Sequence, residues 1–128
     1  MRLHAAVVAA VLVSPLAGAT AAPAPDPLYG NDAQARAVLD CHASYARRMA
    51  TALVDTQITA TEIATAAHAH CIGALQQYAS AATKAAVENG NAAALVEPAR
   101  YQQEMAARMR DYAFAYALDA YLASKATP

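Results

Sequence analysis

Beyond Asn31 the chain falls into three long stretches in which apolar residues return every three or four positions, each closed by a turn signal. In the first, Val38, Cys41, Tyr45 and Ala52 share one face at about 100° per residue. Asn31 offers a capping oxygen and no Gly or Pro follows for more than twenty residues, which predicts a helix reaching to near Asp55. In the second, Ile63, Ala67, Cys71 and Tyr78 share a face. Thr59 and Glu62 have the spacing of a capping box, and Asn89-Gly90 supplies a left-handed stop, so a single helix is predicted between them. Gly73 lies inside it, at a cost of up to ~1 kcal/mol relative to Ala, and reads as a point of close helix approach. Asn91 to Glu97 fits a short helical turn or a loop, and Pro98 suits the first turn of a third helix that runs to the last few residues. No run alternates in the two-residue rhythm of a strand. The expected fold is all-α, an up-down-up three-helix bundle.

The residues ahead of this domain follow a different pattern. Arg2 precedes an uncharged run, Ala5 to Leu16, and then Ala19-Thr20-Ala21, the layout of a secretory signal peptide cut after Ala21. The apolar run is well short of the ~20 residues a spanning helix needs, so cleavage is expected rather than anchoring. No Cys follows the cleavage region to carry a lipid. Residues 22–30 (APAPDPLYG) hold three prolines and a glycine and read as a linker or flexible arm. The division is therefore signal peptide over 1–21, linker over 22–30 and helical domain over 31–128, in a periplasmic or secreted protein with no membrane association after cleavage.

Charge and composition then exclude some partners. Without Arg2 the chain keeps eight Lys+Arg against ten Asp+Glu, interspersed, with no basic run to neutralise phosphates, so nucleic acid is not an expected partner. Leu, Ile, Val, Met and Phe number only eighteen after residue 21, joined by seven Tyr. So thin a core is marginal on burial alone and calls for a further source of stability.

Cys41 and Cys71, the only two cysteines, can supply it. If the first two helices fold back at Thr56, each cysteine stands fifteen residues from the turn, on the face towards the other helix, with small Ala neighbours that permit close approach. A bond closing about thirty residues contributes roughly 3–4 kcal/mol. Neither the C-x-x-C of redox enzymes nor the close-set pairs of zinc sites occurs, so the disulfide is read as structural.

The same wheel geometry puts His42 and His68 together on one side of the hairpin and sends His70 to the other, near Asp40 and Arg47. Facing Tyr112, Tyr116 and Asp119 of the third helix, the pair could be hydrogen-bonded core residues, or could ligate a metal or a haem. No C-x-x-C-H, H-E-x-x-H or H-x-x-E-H motif accompanies them, and no cofactor is assigned. The third helix has two apolar directions. Tyr101, Met105, Met109, Tyr112 and Tyr116 are assigned to the core, whereas Phe114, Leu118, Tyr121 and Leu122 form a second stripe, read as a partner-binding or self-association face if it is not itself core.

A Cys on one long helix followed by Thr59-x-x-Glu62-Ile63-Ala64-x-x-Ala67-x-x-x-Cys71 on the next resembles small exported helical proteins of proteobacteria, of uncharacterised function, that carry two cysteines. The resemblance covers about residues 35 to 80. It implies a periplasmic location and the disulfide hairpin, and it carries over no catalytic or binding residue; the histidines have no place in it. Ser44, Ser80 and Ser124 lack a general-base arrangement and no Gly-rich phosphate loop is present, so an enzyme is not expected. The leading expectation is a non-enzymatic protein-interaction module, an inhibitor, immunity-type or accessory protein. The alternative is a metal- or haem-binding protein using His42 and His68.

Overall fold

The computed structural model describes residues 24–54 and 56–127, so the signal-peptide expectation lies outside the described residues. Among the described residues there are five helices: α1 (Ala33–Ala52), α2 (Ala60–His70), α3 (Ile72–Glu88), α4 (Ala92–Val96) and α5 (Pro98–Ala126). No strand occurs among the described residues.

The helix ends follow local chemistry. Asp32, one residue beyond the expected Asn31, caps α1 by accepting from the Ala35 amide at 2.8 Å. Thr59 and Glu62 make the full capping box on α2: the Thr59 oxygen accepts from the Glu62 amide, and the Glu62 carboxylate accepts from the Thr59 amide at 2.8 Å. The Thr59 amide and the Thr59 hydroxyl, both donating to the Glu62 carboxylate, hold that carboxyl below its ordinary range. Gly90, with φ +74°, follows the end of α3 in the left-handed region, and Asn91 caps α4, the short helical turn between α3 and α5.

The second predicted helix is broken in two. Cys71 departs from helical geometry (φ −99°, ψ 11°), and its amide donates to both the Ala67 and His68 carbonyls. Here the disulfide ties the chain to α1, and Gly73, two residues on, lies in the first turn of α3. Gly73 does not mark a close approach: a Cβ built there meets nothing within 4 Å.

Two buried clusters run along the molecule. One joins Ala35, Val38 and Leu39 of α1 to Leu75 and Tyr78 of α3 and to Met109 and Ala113 of α5. The other joins Ala43, Ala46 and Ala50 of α1 to Ile63, Ala64 and Ala67 of α2 and to Ala117, Ala120 and Tyr121 of α5. Alanine supplies most of the second cluster, which brings backbones close but buries little apolar area per residue.

The clusters also correct the reading of the last helix. Tyr121 is 7 % exposed and Phe114 and Leu118 pack against the second cluster, so these three belong to the core rather than to a free face. Of that stripe only Leu122, 56 % exposed, faces solvent. Tyr116, assigned to the core, is instead 38 % exposed. Over twenty-nine residues a helix turning 100° per step wraps its buried stripe gradually around the axis, and α5 meets α1 and α3 first and α2 later.

The expected flexible arm is an ordered turn over its described part, 24–30. Asp26 and Gly30 exchange backbone hydrogen bonds at 3.0 and 2.8 Å, and the Asp26 carboxylate accepts from the Leu28 and Tyr29 amides. The turn is fastened by the Tyr112 hydroxyl, which donates to Asp26 at 3.0 Å, and by Arg36, which donates to the Ala24 carbonyl at 2.9 Å. Tyr29 sits edge-on against both Tyr78 and Tyr112, with ring centroids 5.8 and 5.2 Å apart. Some desolvation pushes the Asp26 carboxyl upward, but the Tyr29 and Leu28 amides, the Tyr112 hydroxyl and the Arg36 charge outweigh it and hold it below the usual carboxylate range.

Candidate histidine pair beside the disulfide

Cys41 and Cys71 are joined, with Cα atoms 5.9 Å apart across 30 residues of sequence. The bond pins the middle of α1 to the junction of α2 and α3, and it fixes the two positions next to it: His42, the following residue, and His68, one helical turn before Cys71.

The two imidazoles lie together as the helical wheel predicts, with ring centroids 6.2 Å apart and planes inclined by 35°. His42 is fully buried, at 0 % exposure, and His68 is half-buried. His42 Nδ1 lies 2.8 Å from the Val38 carbonyl one turn back. A carbonyl only accepts, so Nδ1 carries the proton and the lone pair of the neutral ring is on Nε2. That Nε2 is buried without a hydrogen-bond partner, as is His68 Nδ1. Burial holds the His42 imidazole below the ordinary histidine range; the Val38 carbonyl opposes this and the neighbouring His68 adds to it.

The surroundings expected from sequence are different in one respect. Tyr112 donates its hydroxyl to Asp26 of the N-terminal turn, and Tyr116 and Asp119 line a separate cavity of about 300 Å³ with Arg47 and Ser124. None of the three is hydrogen-bonded to either histidine, so the pair is not the mutually satisfied core arrangement. His70 is exposed, with its ring 5.0 Å from that of Tyr45.

No group of three or more His, Cys, Asp or Glu able to hold a metal occurs among the described residues, which leaves the histidine pair as a two-nitrogen set. Other concavities lie elsewhere. A groove of about 530 Å³ runs between Leu28, Tyr78, Met105 and Tyr112, with Arg108 and Asp111 at its edge. A cavity of about 390 Å³ opens between the N-terminal turn and Arg36, Leu39 and Asp40 of α1. Both depend on the docked turn, which the Pro-based reading missed although Asp-Pro-x-x-Gly is a turn signature.

No protein-family model, no curated protein and no solved structure matches this chain.

Proposed function

We propose that the protein is an exported, non-enzymatic binding protein whose ligand is a metal ion held between His42 and His68. The observation that supports this most is the pair of buried ring nitrogens, His42 Nε2 and His68 Nδ1, which lack partners on rings 6.2 Å apart. Leaving one buried acceptor unmet costs about 1–3 kcal/mol, a large fraction of a small domain's stability, and a bound ion removes that cost. The neutral state that burial favours for His42 is also the ligating state. Both thiols are held in the disulfide, so the donors are nitrogens.

The disulfide favours an ion over a haem. With α1 and the α2–α3 junction stapled 5.9 Å apart beside both rings, there is no slot into which a porphyrin could slide between them. The order of the two clusters along α1, α2–α3 and α5 supports the finer reading of the fold as an up-down-up bundle in which α2 and α3 form one rod. Export is inferred from the first 21 residues together with the disulfide. No helix among the described residues is long and apolar enough to cross a membrane.

Titration of the disulfide-intact mature protein with Zn(II), Ni(II), Co(II), Cu(II) and Ag(I) by calorimetry tests the reading. At least one ion binds with a stoichiometry of one, and His68→Ala weakens it by roughly 10-fold or more. No binding by any of them, or binding indifferent to His68, contradicts it.

A second reading, a protein-interaction or self-association module, keeps one supporting feature. Leu122 is exposed, and Lys125, which donates to the Leu53 carbonyl at 3.4 Å, brings that end of α5 close to the exposed Val54. A dimeric mass on size-exclusion that falls to the monomer with Leu122→Glu would support it; a monomer throughout would remove the self-association form.

A further inference from the structure

We infer that the histidine pair is selective for a monovalent coinage-metal ion, Cu(I) with Ag(I) as its redox-inert surrogate, bound in near-linear two-coordination by His42 Nε2 and His68 Nδ1. This rests on the metal-binding reading above and narrows it to one class of ion.

Donor number is the first argument. Zinc sites are built from at least three protein ligands, and calcium or magnesium sites from six or more oxygens, or fewer with several waters. The described residues bring no third His, Cys, Asp or Glu to this pair. A filled-shell monovalent ion has no ligand-field demand for more than two donors, and imidazole is among the donors copper accepts.

Solvent is the second. A divalent ion held by two nitrogens would have to complete its shell with several waters. His42, the residue after the disulfide-bonded Cys41, is at 0 % exposure and its Nε2 is buried. Two-coordination asks for no such space. The half-buried His68 provides the way in from solvent.

Distance is the third. Two nitrogens each ~2.0 Å from a shared ion and on opposite sides of it place their ring centres roughly 6–6.5 Å apart. The observed separation is 6.2 Å. That is too wide for a direct N–H···N hydrogen bond between rings meeting head-on, for which the centres would be about 5 Å apart. Once the two nitrogens are turned towards a shared ion, linear coordination tolerates any angle between the ring planes, the observed 35° included. The tautomer agrees as well: His42 Nδ1–H donates to the Val38 carbonyl, which leaves the lone pair on Nε2.

The test compares Ag(I), and Cu(I) supplied without thiol reductant under oxygen-free conditions, with Zn(II), Ni(II) and Co(II) on the disulfide-intact full mature chain, by competition titration and by the ring ¹⁵N resonances of the histidines. One monovalent ion binds per chain, roughly 100-fold or more tighter than any of the three divalent ions. Both His42 and His68 resonances move, His68→Ala loses about 10-fold or more, and His70→Ala changes nothing. Unchanged helical circular dichroism in His68→Ala separates loss of a ligand from loss of fold. A divalent ion binding equally tightly with the same dependence on His68 overturns the selectivity and leaves the metal-binding reading standing. Silver binding indifferent to His68 assigns the ion to methionine thioethers and overturns the site. No ion at all overturns both.

Discussion

At the scale of single residues, His42 is the most informative side chain because it is fully buried, hydrogen-bonded only within its own helix, and short of a partner at Nε2. Its ring titrates below the ordinary histidine range, chiefly because burial disfavours the cation. In the unfolded chain the same ring takes up a proton near about pH 6.5, so between that value and the lower folded one the unfolded state binds more protons. Stability therefore falls as pH falls through this window and is regained above it. Denaturant melts from pH 7.5 down to pH 5 should show this slope, and His42→Leu should flatten it. The same substitution is expected to raise stability at neutral pH by about 1 kcal/mol, since it replaces an unmet buried nitrogen with apolar volume, while abolishing ion binding. A loss of stability instead would mean that the ring is satisfied in a way the geometry does not suggest. Tyr112 makes a separate prediction. Tyr112→Phe deletes the hydroxyl that holds Asp26, costing about 1 kcal/mol and making the segment around Tyr29 a faster site of proteolytic cleavage.

At the scale of elements, the α1–α2 seam depends on small side chains. Ala43, Ala46, Ala64 and Ala67 are all at or near zero exposure beside the disulfide. Ala46→Leu should overpack this seam and lower stability by ~1–3 kcal/mol, whereas Ala37→Leu, on an exposed position of the same helix, should be close to neutral. The helical elements, the Thr59-Glu62 box and the Cys41–Cys71 pairing were legible in the sequence because each rests on local spacing: caps, turn residues, and two thiols equidistant from a turn. What was not legible came from tertiary terms. The break falls at Cys71, where the chain is covalently tied to a distant residue of another helix. The facing of Phe114, Leu118 and Tyr121 depends on how far the stripe on α5 drifts over its length, which a fixed angle per residue cannot supply when two stripes are of similar strength. The docked turn at Asp26 was hidden because proline content suggested extension, while its hydrogen-bond partner Tyr112 lies 86 residues away. For the histidines, the wheel placed the two rings together correctly, but which side chains would meet them depended on the phase of α5 that it could not fix.

At the scale of the whole molecule, few large side chains are fully buried, and the staple closes a 30-residue loop. Reducing it, or replacing both cysteines with Ser, should remove about 3–4 kcal/mol, enough to lower the melting temperature by more than ~10 °C. The Cys-to-Ser replacement, which unlike reduction frees no thiol to capture the ion, should also weaken ion binding, because the staple fixes the spacing of the two rings. On the proposed reading, stability and ion capture are coupled through this one covalent bond. The most direct test of this account is native mass spectrometry of the oxidised mature chain offered one equivalent of Ag(I), beside its His68→Ala variant. The account predicts a monomer lacking the two thiol hydrogens and carrying one silver ion, with the ion absent from the variant. An unloaded parent, or equal loading of both proteins, would contradict it.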